Sequence, residues 1–500
     1  AGAILYAIFG TSRQISTGPS SALAAVAGSA VLLTGLSGSD DAVALVAAIT
    51  FVTGILFLLL ALFKMGWISQ FLSKAVITGF LFGAAIEVVI GELPKITGTS
   101  VDGSNSWQKL FSWLDGIAET DGTTLLVGQI SLVVIFGLHR VAPKIPGALV
   151  LIVGGLLASA LFGLGERGLS LVGDVPSGLP SLALPDLQII LANLPVIGAA
   201  SVGLLLIGFS QSAGDARAFA SRHGYQVDIN QESVAQGMAN IGSGLVQGIP
   251  VSTSLSASSL NDTSGAKTPV SSLTTGVVII LTMLFLAPLF SGLPKAVLGA
   301  LIIDAVVMGM MDFSEMRRLY RVARIDFWIA IAAILGVLSS GVLAGVMIGI
   351  ALSIGWLVYI SATPKMQVLG KQPGTQVFWG VDDHPESETY PGLLVLRFDA
   401  GLFFASADAL VDRLIDLHHQ ADPQLHTLVL DFEGVNFIDS QGAETIADLI
   451  ELAGSRDIEL RLARVKTKVK EVLQRDGIIE KLGESRIYGN VYEAAADKIV

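Results

Sequence analysis

The chain has 500 residues, of which 52% are hydrophobic and only 14% charged, and its formal net charge is −12. A soluble domain carries about 25% charged residues, so this composition excludes an ordinary globular enzyme and indicates a polytopic membrane protein. Cysteine is absent, which excludes disulfides, thiol catalysis and Cys-ligated metals.

The chain opens on "AGAILYAIFG", too short to span and without a basic region ahead of the apolar run. It reads as the end of a helix whose beginning lies outside the chain. "GTSRQISTGPSSALAAVAGSA" (10–30) follows and breaks the apolar pattern. Here "RQIS" is strand-like, Thr17-Gly18-Pro19 marks a break, and Pro19 suits the first position of a helix. Stretches near the roughly 20-residue spanning length then recur at 43–63, 75–91, 123–138, 146–163, 195–213, 270–292, 294–311, 325–338 and 341–360. Shorter Ser/Gly-rich pieces at 18–36, 232–248 and 252–262, together with the truncated start, raise the expectation to roughly 13 membrane elements. A second break lies in "GIPVSTSLSASSLNDTSGAKT" (248–268), where Pro250 ends one element and Ser252, Thr253 and Ser254 are N-cap candidates.

Non-helical backbone at membrane depth survives only inside protein or along a wet cavity. Interrupted segments in two halves of a transporter point to its substrate site. Two facing half-helix N-termini, with unpaired N–H groups and partial positive charge, would attract an anion. The plainer reading of the same residues is that Gly, Ala and Ser allow close helix packing.

Carboxylates within or at the ends of spans are the other candidates for function, because a charge in hydrocarbon is costly. Glu87 and Asp304 lie deepest in their apolar runs and Asp262 sits at an end. Glu87 or Asp304 could carry a proton if burial raises its pKa, or make a structural hydrogen bond to a neighbouring helix. His139 and His223 lie at span ends, too isolated to suggest a metal site. Lys and Arg fall predominantly on the side shared by Arg13 and the run "DFSEMRRLYRVARID" (312–326), which the positive-inside rule assigns to the cytoplasm. That run reads as a solvated loop with no specific partner.

From residue 364 the chain turns polar, and from 392 strand patterns alternate with helical ones. "LLVLRFDAGLFFA" reads as strands, 406–419 as a helix, "TLVLDF" as a strand, "QGAETIADLIELA" as a helix and "IELRLA" as a strand. This is a small α/β domain. The expected division is a membrane domain over 1–363, a linker over 364–387 and the α/β domain over 388–500.

Several of these segments resemble one family. "FGTSRQISTGP" (9–19), "ASRHGYQVDINQESVAQGMANIGSGLVQGIPVSTS" (220–254) and "LPKAVLGALIIDAVVMGMMDFSEMRRL" (293–319) are similar to motifs of the SulP anion transporters. That group includes sulfate permeases, prestin and pendrin. "VLDFEGVNFIDSQGAETI" (429–446) resembles the hallmark of the STAS domain that closes such chains. The resemblance covers nearly the whole chain and implies that the first span and part of the second lie outside it. It implies a seven-plus-seven inverted-repeat (uracil-permease-like) fold with core and gate domains. It also implies a homodimer, a cytoplasmic STAS domain, elevator-type alternating access and a multi-pass location in the plasma (bacterial inner) membrane.

The resemblance places the anion between the helices after Pro19 and after Pro250. The implied binding residues are Gly18, Pro19, Ser20 and Ser21 on one side and Ser252, Thr253, Ser254, Leu255 and Ser256 on the other. Many relatives carry an Arg where this chain has Ala257, and its absence slightly favours a singly charged or weakly hydrated anion over sulfate. Gln211 stands where relatives often have the acid linked to a coupling ion. Asp215, one turn along the same face, could replace it, or could pair with Arg217 or Arg222 at the boundary. With Glu87 and Asp304 these are the coupling-ion candidates, the ion being Na+ or H+; no other cofactor, no metal and no nucleic-acid partner is implied.

In phosphorylation-switched STAS domains the acceptor precedes the Gly of an Asp-Ser-Ser-Gly-like motif. Here Asp439 and Ser440 are followed by Gln441 at that position, which puts the usual switch in doubt. Ser440 is expected to cap the following helix, and the domain to stabilise a dimer or bind a cytoplasmic protein. The leading function is secondary transport of a small inorganic anion such as sulfate, bicarbonate or chloride. A channel-like or voltage-responsive anion-binding protein, or a receptor signalling through its STAS domain, are the alternatives. No nucleophile–base or metal-ligand set suggests an enzyme.

Overall fold

The computed structural model describes residues 1–36, 40–65, 73–103, 105–143, 145–175, 178–420 and 425–499. It separates into two compact units, Ala1–Ser353 and Ile354–Val500.

The first unit is helical apart from one two-stranded ribbon. In chain order it contains α1 (Gly2–Phe9), β1 (Thr17–Pro19), α2 (Ser21–Thr34), α3 (Asp40–Leu62) and α4 (Lys74–Thr97). Then come α5 (Ser106–Asp115), α6 (Gly122–Val141), α7 (Gly147–Phe162), α8 (Leu187–Ala192) and α9 (Leu194–His223). The last are α10 (Ile229–Leu245), β2 (Val251–Thr253), α11 (Leu255–Thr263), α12 (Val270–Leu281), α13 (Lys295–Met310), α14 (Phe313–Val322) and α15 (Arg324–Ala362), whose residues from Ile354 on fall in the second unit. Among the described residues eight helices are long and apolar enough to cross a membrane, at eight of the nine stretches the hydropathy pattern indicated; the ninth, 146–163, is the shorter apolar helix α7. Their outward faces carry exposed Leu, Ile, Val and Phe, which is the surface a lipid solvent requires.

These helices pack as two groups. α3 lies along α10, α9 packs on α2 and α3, and α1 fits between α10 and α12. A second group is built from α4, α6, α7 and α13. The α3–α10 contact is backbone to backbone: a Cβ on Gly54 would come within 2.7 Å of the Gly237 carbonyl oxygen. Small residues make such approaches possible where no hydrophobic force drives helices together. A shared core of Leu23, Val26, Ala30, Leu45, Phe80, Ala84, Leu204 and Val306 joins the groups.

α15 is two spans. Gly341, at φ 84°, breaks it, and the legs fold back on each other so that Gly345 lies against Val337 and Ala333. Only glycine adopts that backbone without strain. The freed Val342 N–H donates to Ser29 Oγ on α2 at 3.1 Å.

The second unit is a six-stranded sheet in the order β4-β3-β5-β6-β7-β8. Its strands are β3 (Met366–Lys371), β4 (Phe378–Gly380), β5 (Leu393–Phe398), β6 (Thr427–Asp431), β7 (Glu459–Ala463) and β8 (Ile487–Tyr488). β5 to β8 are parallel, while β3 runs antiparallel to both β5 and β4. The helices α16 (Ala407–Gln420) and α17 (Ser440–Ser455) bury Leu410, Leu414, Ile446 and Leu449 against the sheet.

Three expectations need correction here. Residues 364–387, expected as a linker, supply β3 and β4 to the sheet. "LLVLRFDAGLFFA" forms one strand ending at Phe398, not two, because Ser406 turns the chain at Gly401 and Phe403. The cap of α17 is Asp439, whose Oδ1 accepts from Gly442 N at 2.8 Å. Ser440 is already the first helical residue and is exposed.

Candidate functional site

The two breaks in the helical pattern meet. β1 and β2 pair antiparallel, with Thr17 opposite Thr253, Gly18 opposite Ser252 and Pro19 opposite Val251. α2 leaves one end of this ribbon and α11 leaves the other, so each half-helix starts beside its partner's strand. The strand is Thr17–Pro19 rather than "RQIS", and Pro19 ends it instead of opening the helix. Ser20 holds the N-cap position with extended backbone. Proline is tolerated there because an edge position needs no N–H.

β2 is held from behind residue by residue. Asn240 on α10 donates to the Val251 carbonyl at 2.9 Å and accepts from its N–H at 3.0 Å, as a third strand would. Ser252 donates to Gln211 Oε1 at 3.2 Å, and Thr253 to Asp215 Oδ2 at 2.8 Å. Gln211 and Asp215 therefore both back the ribbon, and Asp215 is not the partner of Arg217 or Arg222. Arg222 and His223 instead pair with Asp262 near the end of α11, at 3.2 and 2.7 Å. Ser254 caps α11, its Oγ accepting from Ala257 N at 3.3 Å and its N–H donating to Ser16 O at 3.1 Å.

β1 is held mainly through the loop before it. Glu232, 1% exposed, accepts from Thr11 N, Thr11 Oγ1 and Ser12 N at 2.7, 2.6 and 2.9 Å, and from the Tyr6 hydroxyl. Four donors on one carboxylate compensate a charge that burial alone would make costly. Tyr225 shares hydrogen bonds with Ser12 and Gln14, and Arg13 stacks on its ring at 5.1 Å. Ser258 Oγ accepts from Ser16 N, and Asn261 donates to Gln14 O. None of these roles was assigned from sequence. Glu232 and Asn240 lie inside the quoted motif, but polar residues on a helix carry no sign of which distant loop they will hold.

The ribbon has an open side. Among the described residues a Cβ on Gly18 would meet nothing within 4 Å; Pro19 is exposed, and Gly18 and Ser20 are half-buried. Ser20 makes no side-chain cap, which leaves the first turn of α2 without that partner. On α11, Leu255 and Ala257 are exposed and Ser254 is half-buried, whereas Ser252 and Thr253 are buried. The side chains of Ser21 and Ser256 lie outside the described residues.

The remaining acids stand apart from the ribbon. Asp304 on α13 is met by His139 on α6, with Nε2 3.0 Å from Oδ1. The histidine expected to be isolated is its partner. Glu87 on α4 has a buried Oε2 without a hydrogen bond. No cluster of metal-ligating residues occurs among the described residues. In the second unit, buried Arg461 forks onto Asp497 and Glu459. Its hydrogen bonds hold both carboxyls below their ordinary range.

The sulfate permease family matches residues 1–333 and the STAS domain residues 384–494. The chain belongs to the sulfate permease family. It is 33% identical to "Probable sulfate transporter Rv1739c" of Mycobacterium tuberculosis over 97% of this chain and 86% of that protein. It is 30% identical to "Probable sulfate transporter 4.2" of Arabidopsis thaliana over 98% of this chain and 74% of that one. Among solved structures, murine Slc26a9, an anion transporter in the inward-facing state, matches with a TM-score of 0.89 at 20% identity, over 99% and 86% of the two chains. The transmembrane domain of the cyanobacterial bicarbonate transporter BicA matches with a TM-score of 0.58 at 20% identity, over 71% and 88%. The fold is thus that of an SLC26-type transporter with a C-terminal STAS domain.

Proposed function

We propose that the chain is a secondary transporter that holds a small inorganic anion beside the β1–β2 ribbon, between the N-termini of α2 and α11. The observation that carries this reading is the open side of the ribbon at Gly18 next to the uncapped start of α2. Unpaired N–H groups and a helix dipole are a ready anion site. In this reading Gly18, Pro19 and Ser20 form one wall and Ser254 and Leu255 the other, with Ser21 and Ser256 kept as candidates from the sequence. Ser252 and Thr253 stand behind them, their hydroxyls committed to α9. Ala257 supplies no charge, so the anion is held by backbone and hydroxyl dipoles alone.

The names of the relatives make sulfate the first substrate to test, and the missing cation makes singly charged anions the second. Asp215 backs the ribbon through Thr253 and is the coupling residue of this reading, exchanging H+ or coordinating Na+ as the anion is bound. The two helix groups are the bodies of an elevator motion, one carrying the ribbon past the other in a homodimer.

Radiotracer uptake into proteoliposomes tests this, comparing sulfate, bicarbonate, chloride and nitrate across pH and Na+. Saturable uptake of one of them is expected. Ser254→Glu is expected to abolish it, by placing like charge in the anion's position, while Ser254→Ala, which loses the same cap, keeps saturable uptake. Unchanged uptake kinetics in Ser254→Glu would sink the assignment.

A further inference from the structure

The basic run at 312–326 is not a loop. Residues 313–322 form α14, a helix between the spans α13 and α15. Its inner face is Glu315 and Leu319, both buried, with Glu315 fixed by Lys74 at 3.1 Å and by Arg318 at 2.7 Å.

Phe313, Arg317, Tyr320 and Arg321 follow at the spacing of a single helix face, opposite Glu315 and Leu319, and all four are exposed. Arg324 follows at the start of α15. Arg318 is neutralised by Glu315, but Arg317, Arg321 and Arg324 make no ion pair or hydrogen bond among the described residues. Three unpaired guanidinium groups so close together repel one another unless something anionic lies against them.

The apolar part of this surface is equally unsatisfied. Phe313 is 60% exposed, Val322 71% and Trp328 61%. These side chains belong to an aromatic rim: Phe313 stands edge-on to Phe82, Tyr320 to Phe327, and Phe327 to Trp328. Met308 on α13 and Leu335, two turns along α15 from Trp328, are exposed as well. Water would leave this rim uncovered, and an acidic soluble protein would match the arginines but not aromatic rings that adjoin two membrane-spanning helices. Aromatic rings at the membrane boundary with arginines alongside are the chemistry of an interfacial helix.

We propose that α14 and the start of α15 form a binding site for anionic phospholipid. Arg317, Arg321 and Arg324 hold headgroup phosphates, and Phe313, Tyr320 and Trp328 lie among the adjoining acyl chains. Guanidinium groups suit this because they fork onto phosphate oxygens and are weakly hydrated. The site is independent of the transport reading, since it concerns neither the ribbon nor uptake.

The test is retention of phosphatidylglycerol over phosphatidylcholine by the purified full chain, read by native mass spectrometry from mixed micelles. The wild type is expected to retain phosphatidylglycerol preferentially, and glycerol phosphate alone is expected not to displace it. At about fivefold per arginine near a membrane surface, the triple variant R317Q/R321Q/R324Q loses a preference on the order of 100-fold. R317K/R321K/R324K keeps most of it, and Phe313→Ala weakens retention of both lipids. No preference in the wild type, an undiminished preference in the Gln variant, or displacement by glycerol phosphate would each overturn the proposal. The single variants Arg317→Gln and Arg321→Gln, each expected to lose part of the preference, serve if the triple variant does not fold.

Discussion

The two half-helices meet in one ribbon but are held in opposite ways. β2 is gripped along its length, with Asn240 on Val251, Gln211 on Ser252 and Asp215 on Thr253. α11 then begins on a side-chain cap from Ser254. β1 is fixed ahead of the strand, where Glu232 gathers Thr11 and Ser12. Its exit into α2 has no side-chain cap and, among the described residues, nothing that a Cβ on Gly18 would meet. Under the proposed function, β2 is the scaffold and the start of α2 the receptor. A hydrogen-bonding group satisfied by protein is unavailable to a ligand, so in that proposal the uncapped half would offer the stronger anion contacts.

The largest effect expected from breaking this arrangement is at Glu232. Glu232→Leu leaves the N–H groups of Thr11 and Ser12 and the hydroxyls of Thr11 and Tyr6 without their acceptor; Ser12 and Tyr6 are buried, and each unmet buried group costs about 1–3 kcal/mol. A loss on the order of 3 kcal/mol or more is expected in thermal unfolding followed by tryptophan fluorescence, with Glu232→Gln retaining most of the stability. Equal behaviour of the Leu and Gln variants would show that the loop is not held by this carboxylate.

Asn240→Asp comes next. It keeps the acceptor for Val251 N–H but sets a carboxylate against the Val251 carbonyl, for an expected loss of about 2 kcal/mol. Because β2 positions α11, anion affinity should fall more than the loss of folded protein explains. That is a rise in KM measured on the fraction that remains folded.

The smallest effect is the sharpest comparison. Ser254→Ala should cost about 1 kcal/mol, the usual worth of an N-cap serine. Ser20→Ala, at the matching position of α2, should cost only a few tenths, because that hydroxyl caps nothing. Its effect should appear in anion affinity instead. Equal stability losses at the two positions would erase the distinction drawn between them.

Both breaks were legible because Gly-Pro and Ile-Pro pairs within apolar sequence leave few alternatives. Their internal detail was not. A three-residue strand carries no periodicity, and strand formation depends on its neighbours more than on intrinsic preference. Thr17–Pro19 therefore read as a gap and "RQIS" as the strand. Asp439 and Ser440 are equally good caps by type, and the choice between them is made by backbone angles that the β6–α17 turn imposes. Asp215 had two plausible partners within its own helix and took neither, since a hydroxyl on another element lay closer. His139 and Asp304, far apart in sequence, could not be connected before α6 and α13 were seen to pack.

Composition and hydropathy by themselves determined that this is a membrane protein with a terminal α/β domain, because both signals are local sums over side chains. Motif residues determined the family. Which groups remain free to meet a ligand was decided only by tertiary structure. Satisfaction of a polar group depends on what folds against it, and for Thr11, Thr17, Val251 and Thr253 those partners come from elements more than ten residues away in the chain.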